Sequence, residues 1–388
     1  MSNKKVGLVI AFQGTNYGML LQGYATQQLL EEWGYKTTII DYERSGMNII
    51  RFDIGLIPYV LDKFIDDVFH KKENRILTQK HLENDEKRKI ESELFRDKKL
   101  INIKKIRGYK ALKEFARSCD SVLIGSDQMW LPGCSLGNYL SLRFVPDYIN
   151  KISYATSLGV SSYPKYLYHS ARNMWRRINH LSVRERQGKE IINTISPNKE
   201  VKVVLDPTYL LSKEKWVEKI PEKRIVEGKY ILCFFLGNDI NSLNSVKRYA
   251  EYKKIKLVSI LSNESICDVD ETFCNELIIG ASVEEFINLI RGAECVFTDS
   301  FHGLTFSVIN EKQFYVYYRK RDDAKQSRNS RIDNILSFWE IKNRLITNNE
   351  IDWSEYVEIP INYDNVNKIL SSARAESCEW LKKALENG

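Results

Sequence analysis

The sequence predicts an α/β protein of two successive domains, each built on a parallel sheet and facing the other across a central cleft. Three observations lead there. Short apolar runs alternate with stretches of helical periodicity from Val6 to Tyr317, the pattern of βαβ units and a parallel sheet. The apolar runs end abruptly in small and polar residues, as in Thr298-Asp299-Ser300-Phe301-His302-Gly303 after Cys295–Phe297, and open α/β sheets gather ligands at such strand ends. Finally, 388 residues are too many for one ordinary core and suit two domains of roughly 150–200 residues each.

Val6–Phe12 reads as the first strand and Gln13-Gly14-Thr15-Asn16-Tyr17-Gly18 as a glycine-bearing loop. Met19–Trp33 is a helix with Leu20, Leu21, Tyr24, Leu29 and Leu30 on its apolar side, stopped by Gly34, and Lys36–Asp41 is the second strand. Past Pro58, Leu61, Phe64, Ile65 and Val68 recur at helical spacing, and basic helical sequence continues to Lys113, so residues 50–115 read approximately as a helical insertion. Ser121–Gly125, Ile152–Leu158, Leu181–Val183 and Val201–Leu205 continue the strand series. Asp206-Pro207-Thr208 breaks the pattern, closing an N-terminal domain over 1–211; the charged stretch 212–228, with Pro221, is the linker. Strands at Tyr230–Leu236, Lys256–Ile260, Leu277–Ile279, Cys295–Thr298 and Gln313–Tyr317 then alternate with helices at Leu243–Tyr252 and Val283–Arg291 in a C-terminal domain over 229–348. A polar tail, 349–388, ends in the helix Val366–Leu385.

A 43% hydrophobic and 28% charged composition is that of a soluble globular protein. No apolar run approaches the ~20 residues that span a bilayer. Met1-Ser2-Asn3-Lys4-Lys5 leads straight into the first strand without an apolar leader, so no secretory signal and a cytoplasmic location are expected. The seven cysteines are scattered and form no C-x-x-C pair, which predicts neither a disulfide framework nor a zinc site. The five histidines (70, 81, 169, 180 and 302) are isolated from one another, so no metal site is expected. The net charge of +7 is densest over Lys71–Lys113, where acidic residues alternate with basic ones. That makes a solvated helical face or, joined to the apolar Ile54–Phe69, a peripheral contact with an anionic membrane surface. No aromatic-rich RNA motif or recognition helix accompanies the charge, so nucleic acid is not an expected partner.

The candidate chemistry sits in the turns. His302 opens a helix, where free backbone N–H groups and the positive dipole end favour an anion, and a titratable imidazole there suits proton transfer; the plain alternative is a capping or surface residue. The Gln13–Gly18 loop lacks both the G-x-G-x-x-G spacing and a P-loop lysine. It either packs a polar ligand against its backbone or makes a tight turn with Asn16 capping the helix. Asp127 in Gly125-Ser126-Asp127-Gln128 lies at a strand end, as a functional carboxylate or as an N-cap. In Ser182-Val183-Arg184-Glu185-Arg186, arginine suits a bidentate grip on phosphate or carboxylate; the alternative is a surface ion pair. Arg328 and Arg331 add positive charge after the last strand. Together the turns suit a small polyanion bound between two domains with a histidine at hand.

At this point the chain resembles the polysaccharide pyruvyl transferases. Asn16-Tyr17-Gly18 with Leu21-Gln22 and Tyr24-Ala25, Ile124-Gly125-Ser126-Asp127-Gln128-Met129-Trp130, Ser153–Gly159, Ser182-Val183-Arg184-Glu185, Leu205-Asp206-Pro207-Thr208 and Thr298–Gly303 follow in the family's order. The resemblance leaves out Ile54–Lys113 and the C-terminal tail. It implies two Rossmann-like domains in a GT-B-like arrangement. It also implies transfer of a pyruvyl group from phosphoenolpyruvate to sugar hydroxyls, as a ketal, in bacterial capsular or exopolysaccharide biosynthesis, on a lipid-linked acceptor. Catalytic roles are implied for His302 and Asp127. Substrate-binding roles are implied for Asn16, Tyr17, Gly18, Gln22, Ser126, Gln128, Arg184, Ser300 and Gly303. No cofactor is implied; phosphoenolpyruvate is the donor substrate. The family pattern carries Arg two residues before the His, where this chain has Ser300, so Arg328 or Arg331 is expected to supply the missing cation. The same departure keeps open a GT-B glycosyltransferase using a nucleotide-sugar donor.

Overall fold

The computed structural model describes residues 4–45, 78–133, 137–237, 239–262, 273–319, 330–348 and 350–387. Its N-terminal half runs β1 (Lys5–Val9), α1 (Tyr17–Glu32), β2 (Lys36–Glu43), α2 (Gln79–Lys99), β3 (Ile103–Arg107), α3 (Tyr109–Arg117), β4 (Ser121–Ile124), β5 (Asn150–Ser153), α4 (Tyr168–Arg177), β6 (His180–Val183), α5 (Arg186–Ile195) and β7 (Lys202–Val203). After α6 (Lys213–Lys219), the C-terminal half runs β8 (Tyr230–Phe234), α7 (Ile240–Lys253), β9 (Lys256–Ile260), β10 (Glu276–Ile278), α8 (Val283–Gly292), β11 (Cys295–Thr298), α9 (Phe301–Ile309), β12 (Gln313–Tyr317), α10 (Ser330–Phe338), β13 (Leu345–Ile346) and α11 (Tyr363–Glu386).

The first sheet has the order β3-β2-β1-β4-β5-β6-β7 and the second β10-β9-β8-β11-β12-β13, with every strand pair parallel, as in Val9↔Ile124 and Phe234↔Thr298. In both, strand order reverses beside the central strand, between β1 and β4 and between β8 and β11. That reversal opens a crevice at the strands' carboxyl ends, where a Rossmann-like domain takes its ligand. The central strands hold their place because they are buried on both faces: Val122, Leu123 and Ile124 in β4, and Val296 and Phe297 in β11, are fully buried.

One strand and one helix stand where the sequence reading has a helical insertion and a linker. The stretch read as a helical insertion contains β3, which pairs with β2 from Ile39↔Ile103 to Glu43↔Arg107. As the edge strand it buries only Ile106, and its Lys104, Lys105 and Arg107 are the charges that blunt an exposed edge; they also hide the strand's apolar alternation. The stretch read as linker contains α6, capped by Ser212, which accepts from Lys215 N. Trp216 anchors it against Phe306 at 5.1 Å and Tyr24 at 6.0 Å. The segment Ile54–Phe69 lies outside the described residues.

The domains are joined along α1. Its residues are buried nearly all round because it packs on its own sheet on one side and on α8 and α9 on the other. Leu20, Leu21 and Tyr24 therefore belong to the same hydrophobic core as Phe286, Leu304 and Phe306. Helix α2 braces this joint. Asn84 accepts from Gly280 N at 2.7 Å, while Arg88 donates to Thr15 O at 2.6 Å and lies 4.4 Å over the Tyr17 ring. Arg96 donates to Phe12 O and Gly14 O. Part of the basic stretch thus holds the β1–α1 loop and the second domain rather than facing solvent. Helix α11 returns to the first domain, where Ser377 Oγ accepts from Leu205 N and Ala384 O accepts from Asn150 Nδ2. Among the described residues no helix is long and apolar enough to cross a membrane.

Candidate active site

The two switch points face each other, and His302 bridges them. Thr298, at the end of β11, donates through Oγ1 to Phe234 O at 2.6 Å and accepts from Ser300 N at 3.0 Å, which turns the chain sharply. Ser300 then caps α9, its Oγ accepting from Gly303 N at 3.3 Å. The turn is so tight that a Cβ on Gly303 would come within 2.5 Å of Thr298 Oγ1. His302 therefore leaves the first turn of α9 toward the other domain, where its imidazole lies against Gly18 at the start of α1. Its side chain is 10% exposed, and Nε2 lies 4.0 Å from Asp206 Oδ2.

Asp206 is the hub. Its Oδ2 accepts from Ser126 Oγ at 2.7 Å and Arg184 Nη1 at 2.9 Å, while Oδ1 accepts from Thr208 N and Thr208 Oγ1. Burial pushes its carboxyl pKa up, but His302 and Arg184, with the Thr208 and Ser126 hydrogen bonds, outweigh that and hold it below the ordinary aspartate value. Arg184, with only 2% of its side chain exposed, also meets Glu185 Oε1 at 3.3 Å and Asp127 Oδ1 at 3.7 Å. Its guanidinium stacks 4.6 Å over the Phe301 ring. Burial disfavours its charge; Glu185, Asp206 and Asp127 more than offset this and raise its pKa. Three carboxylates thus share one guanidinium.

Asp127 sits in left-handed backbone, with φ 74°, a conformation uncommon outside glycine and concentrated at functional sites. Its carbonyl holds that turn by accepting from Met129 N and Ser157 N, both at 2.8 Å. Its carboxylate keeps 26% exposure. Against Arg184 a cavity of about 510 Å³ opens, bounded by Asp206 and Phe301 and by side chains of α10 and α11.

The structure therefore brings together Ser126, Asp127, Arg184, His302 and Gly18. Gln128 lies half-buried beside them, against Gly159. The remaining loop residues are engaged elsewhere. Asn16 Oδ1 accepts from Met19 N, capping α1. The Tyr17 hydroxyl donates to Ala281 O at 2.7 Å, its ring stacks 4.4 Å from Phe286, and burial pushes its pKa up to about 12. Gln22, fully buried, donates to Met19 O and Ala11 O. Arg328 and the side chain of Arg331 lie outside the described residues. Among the described residues no group of three or more His, Cys, Asp or Glu is gathered to hold a metal ion.

Sequence reasoning missed four participants. Asp206 breaks the strand pattern because it caps the turn at Pro207–Tyr209; its second oxygen serves the site. Glu185 accepts from Ser157 Oγ as well as from Arg184. Asp299 accepts from Leu236 N and Gly237 N, both at 2.6 Å, tying the β8 turn to the β11 turn. Arg319, past β12, lies 3.8 Å from Asp299. The available signal was the Asp that follows a strand in each of Gly125–Gln128, Leu205–Thr208 and Thr298–Gly303.

Solved structures share this architecture. A UDP-GlcNAc 2-epimerase from Methanocaldococcus jannaschii superposes with a TM-score of 0.50 at 10% identity, over 95% of this chain and 92% of that one. Another UDP-N-acetylglucosamine 2-epimerase gives 0.50 at 13% identity, over 100% and 95%. At such identities the likeness concerns the fold alone, two Rossmann-like domains in a GT-B-like pairing. A search of curated proteins finds no match. The sequence does match the family described as polysaccharide pyruvyl transferase over residues 54–321. That span begins after the Asn16–Gln22 loop and takes in Ile54–Lys113, which the motif series left out. It includes Gly125–Gln128, Ser182–Glu185, Asp206 and His302, the residues that meet at the domain interface. With well over half of its length matched, the chain belongs to the polysaccharide pyruvyl transferase family.

Proposed function

We propose that this protein transfers a pyruvyl group from phosphoenolpyruvate to two hydroxyls of a sugar, on a lipid-linked intermediate of capsular or exopolysaccharide biosynthesis. The observation that carries the reading is the pairing of His302 Nε2 with the buried carboxylate of Asp206 at 4.0 Å, inside a family of pyruvyl transferases. In the reaction a proton adds to the methylene carbon of the donor and leaves a cationic centre on the adjacent carbon. One sugar hydroxyl attacks that centre, phosphate departs, and a second hydroxyl closes the ketal. One hydroxyl proton replaces the proton given to the methylene and the other leaves with phosphate.

His302 is the acid in this scheme. Its Nε2 faces Asp206, whose own charge is secured by Arg184, Ser126 and Thr208. Asp127, partly exposed beside Arg184, is the group suited to accept a proton from the attacking hydroxyl. Arg184 already faces three carboxylates, so we assign it the positioning of Asp206 and Asp127. The donor's phosphate and carboxylate then need further cations, for which Arg319, Arg328 and Arg331 follow β12 in sequence.

The test incubates purified protein with phosphoenolpyruvate and a panel of lipid-linked and aryl galactosides and mannosides, following phosphate release and the mass of the ketal. Thermal stabilisation by UDP, GDP or CMP sugars, with none by phosphoenolpyruvate and no phosphate release across the panel, overturns the reading in favour of a glycosyltransferase. A ligand at about 100 times its Kd should add roughly 2.7 kcal/mol of stability.

A further inference from the structure

The cavity of about 510 Å³ beside Arg184 has a wall of mixed chemistry. It is bounded by Asp206 and Glu185, carboxylates that accept hydrogen bonds, and by the Arg184 they share. Elsewhere it carries the exposed cations Arg186, Lys202 and Lys368. Lys202 lies 3.9 Å from Glu376, and Glu340, the other acidic residue of the wall, accepts from Asn365 Nδ2. Arg186 and Lys368 have no side-chain hydrogen bond or ion pair among the described residues. The wall also holds Phe338, 38% exposed and set edge-on against the buried Trp339 at 4.7 Å. An exposed aromatic ring among polar side chains is unfavourable in water, and it suits a ligand with one apolar face and a polar edge.

We infer that this cavity takes the acceptor as a glycosyl phosphate, its sugar ring on Phe338, its hydroxyl edge toward Arg184 and Asp206, and its phosphate on Arg186 and Lys368. The orientation follows from charge alone. A phosphate suits Arg186 and Lys368 rather than Asp206 and Glu185, whereas sugar hydroxyls can donate to those carboxylates. This assignment rests on the pyruvyl-transfer reading for the identity of the acceptor, but not for the existence of the site.

Calorimetry on the full chain compares glucose, galactose and mannose 1-phosphates with their methyl glycosides and with inorganic phosphate. The expected result is that at least one sugar phosphate binds roughly tenfold or more tighter than its methyl glycoside, as loss of a charged hydrogen bond predicts, and tighter than phosphate alone. Replacing both cations (Arg186→Gln with Lys368→Gln) should remove that advantage. Ser372→Trp, which places an indole on the α11 wall of the cavity, should abolish sugar binding while thermal stabilisation by phosphoenolpyruvate persists. The same sugars on short prenyl diphosphates tell a lipid-linked source from a soluble one. Equal binding of methyl glycosides, equal binding of phosphate alone, binding that survives Ser372→Trp, or no binding by any of the sugars overturns the assignment. A sugar phosphate that binds as described but releases no phosphate from phosphoenolpyruvate overturns pyruvyl transfer and leaves the site standing.

Discussion

His302 of the second domain lies so close to Gly18 of the first that a Cβ on Gly18 would come within 1.8 Å of the imidazole Nδ1. The close approach requires glycine for want of space. Gly18→Ala must displace either the ring or the α1 terminus. We expect a loss of about 1–3 kcal/mol of stability, the usual cost of overpacking, together with a fall in turnover. Thermal unfolding and the phosphate-release assay would measure both. An alanine variant with wild-type stability and rate would show that the imidazole has room to move.

Arg184 is predicted to matter first for folding. Replacing it with methionine leaves Asp127, Glu185 and Asp206 without their common cation, and breaking a buried ion pair from one side costs about 3–5 kcal/mol. Lysine should restore part of that, since it keeps the charge but not the forked geometry. Denaturant titration of the three proteins reads the difference. A methionine variant within about 1 kcal/mol of wild type would dissolve the cluster as a network.

Asp206 should set the acid limit of stability. Its folded-state pKa is depressed below the ordinary value. Its contribution is therefore complete above the unfolded aspartate pKa of about 3.9 and is lost as the pH falls through the lower folded value. Asp206→Asn should be less stable than wild type near neutrality, and the gap should narrow as the pH drops below about 4. Parallel acid-unfolding curves for the two proteins would refute this.

His302→Ala should lower turnover by roughly 10²–10⁴-fold, as expected for a lost general acid, while phosphoenolpyruvate still stabilises the protein against heat. Loss of that stabilisation with turnover little changed would move His302 from proton transfer to donor binding.

Tyr17→Phe separates the domain joint from the chemistry. It removes the hydroxyl that donates to Ala281 O and should cost about 0.5–1.5 kcal/mol, leaving stabilisation by phosphoenolpyruvate at its wild-type size. A variant that folds normally but no longer responds to the donor would return Tyr17 to the substrate-binding set.

Much of the fold was legible because buried parallel strands, such as β4 and β11, are continuous apolar runs that end in polar turns. β3 was illegible for the opposite physical reason, since an edge strand needs charge where a central strand needs apolar side chains. His302, Asp127 and Arg184 stood out by residue type at strand ends. Asp206 did not, because one of its oxygens does the ordinary work of a turn and only folding brings Ser126 and Arg184 to the other. Nor does any local pattern announce that Tyr17 would be covered by Phe286 and Arg88, or that Gly18 makes room for a residue of the other domain.

Each half has a hydrophobic core of its own, but the core they share, from Leu20 and Tyr24 through Phe286 and Phe306, has a consequence for how the molecule comes apart. Two sheets with only separate cores would melt in two steps, and each half could be expressed alone. Here α1 is insulated from water only while both halves are present, so separation exposes its second apolar face. Calorimetry should record one endotherm with matching calorimetric and van't Hoff enthalpies, and a chain cut between Ile220 and Tyr230 should yield fragments that remain soluble only when produced together.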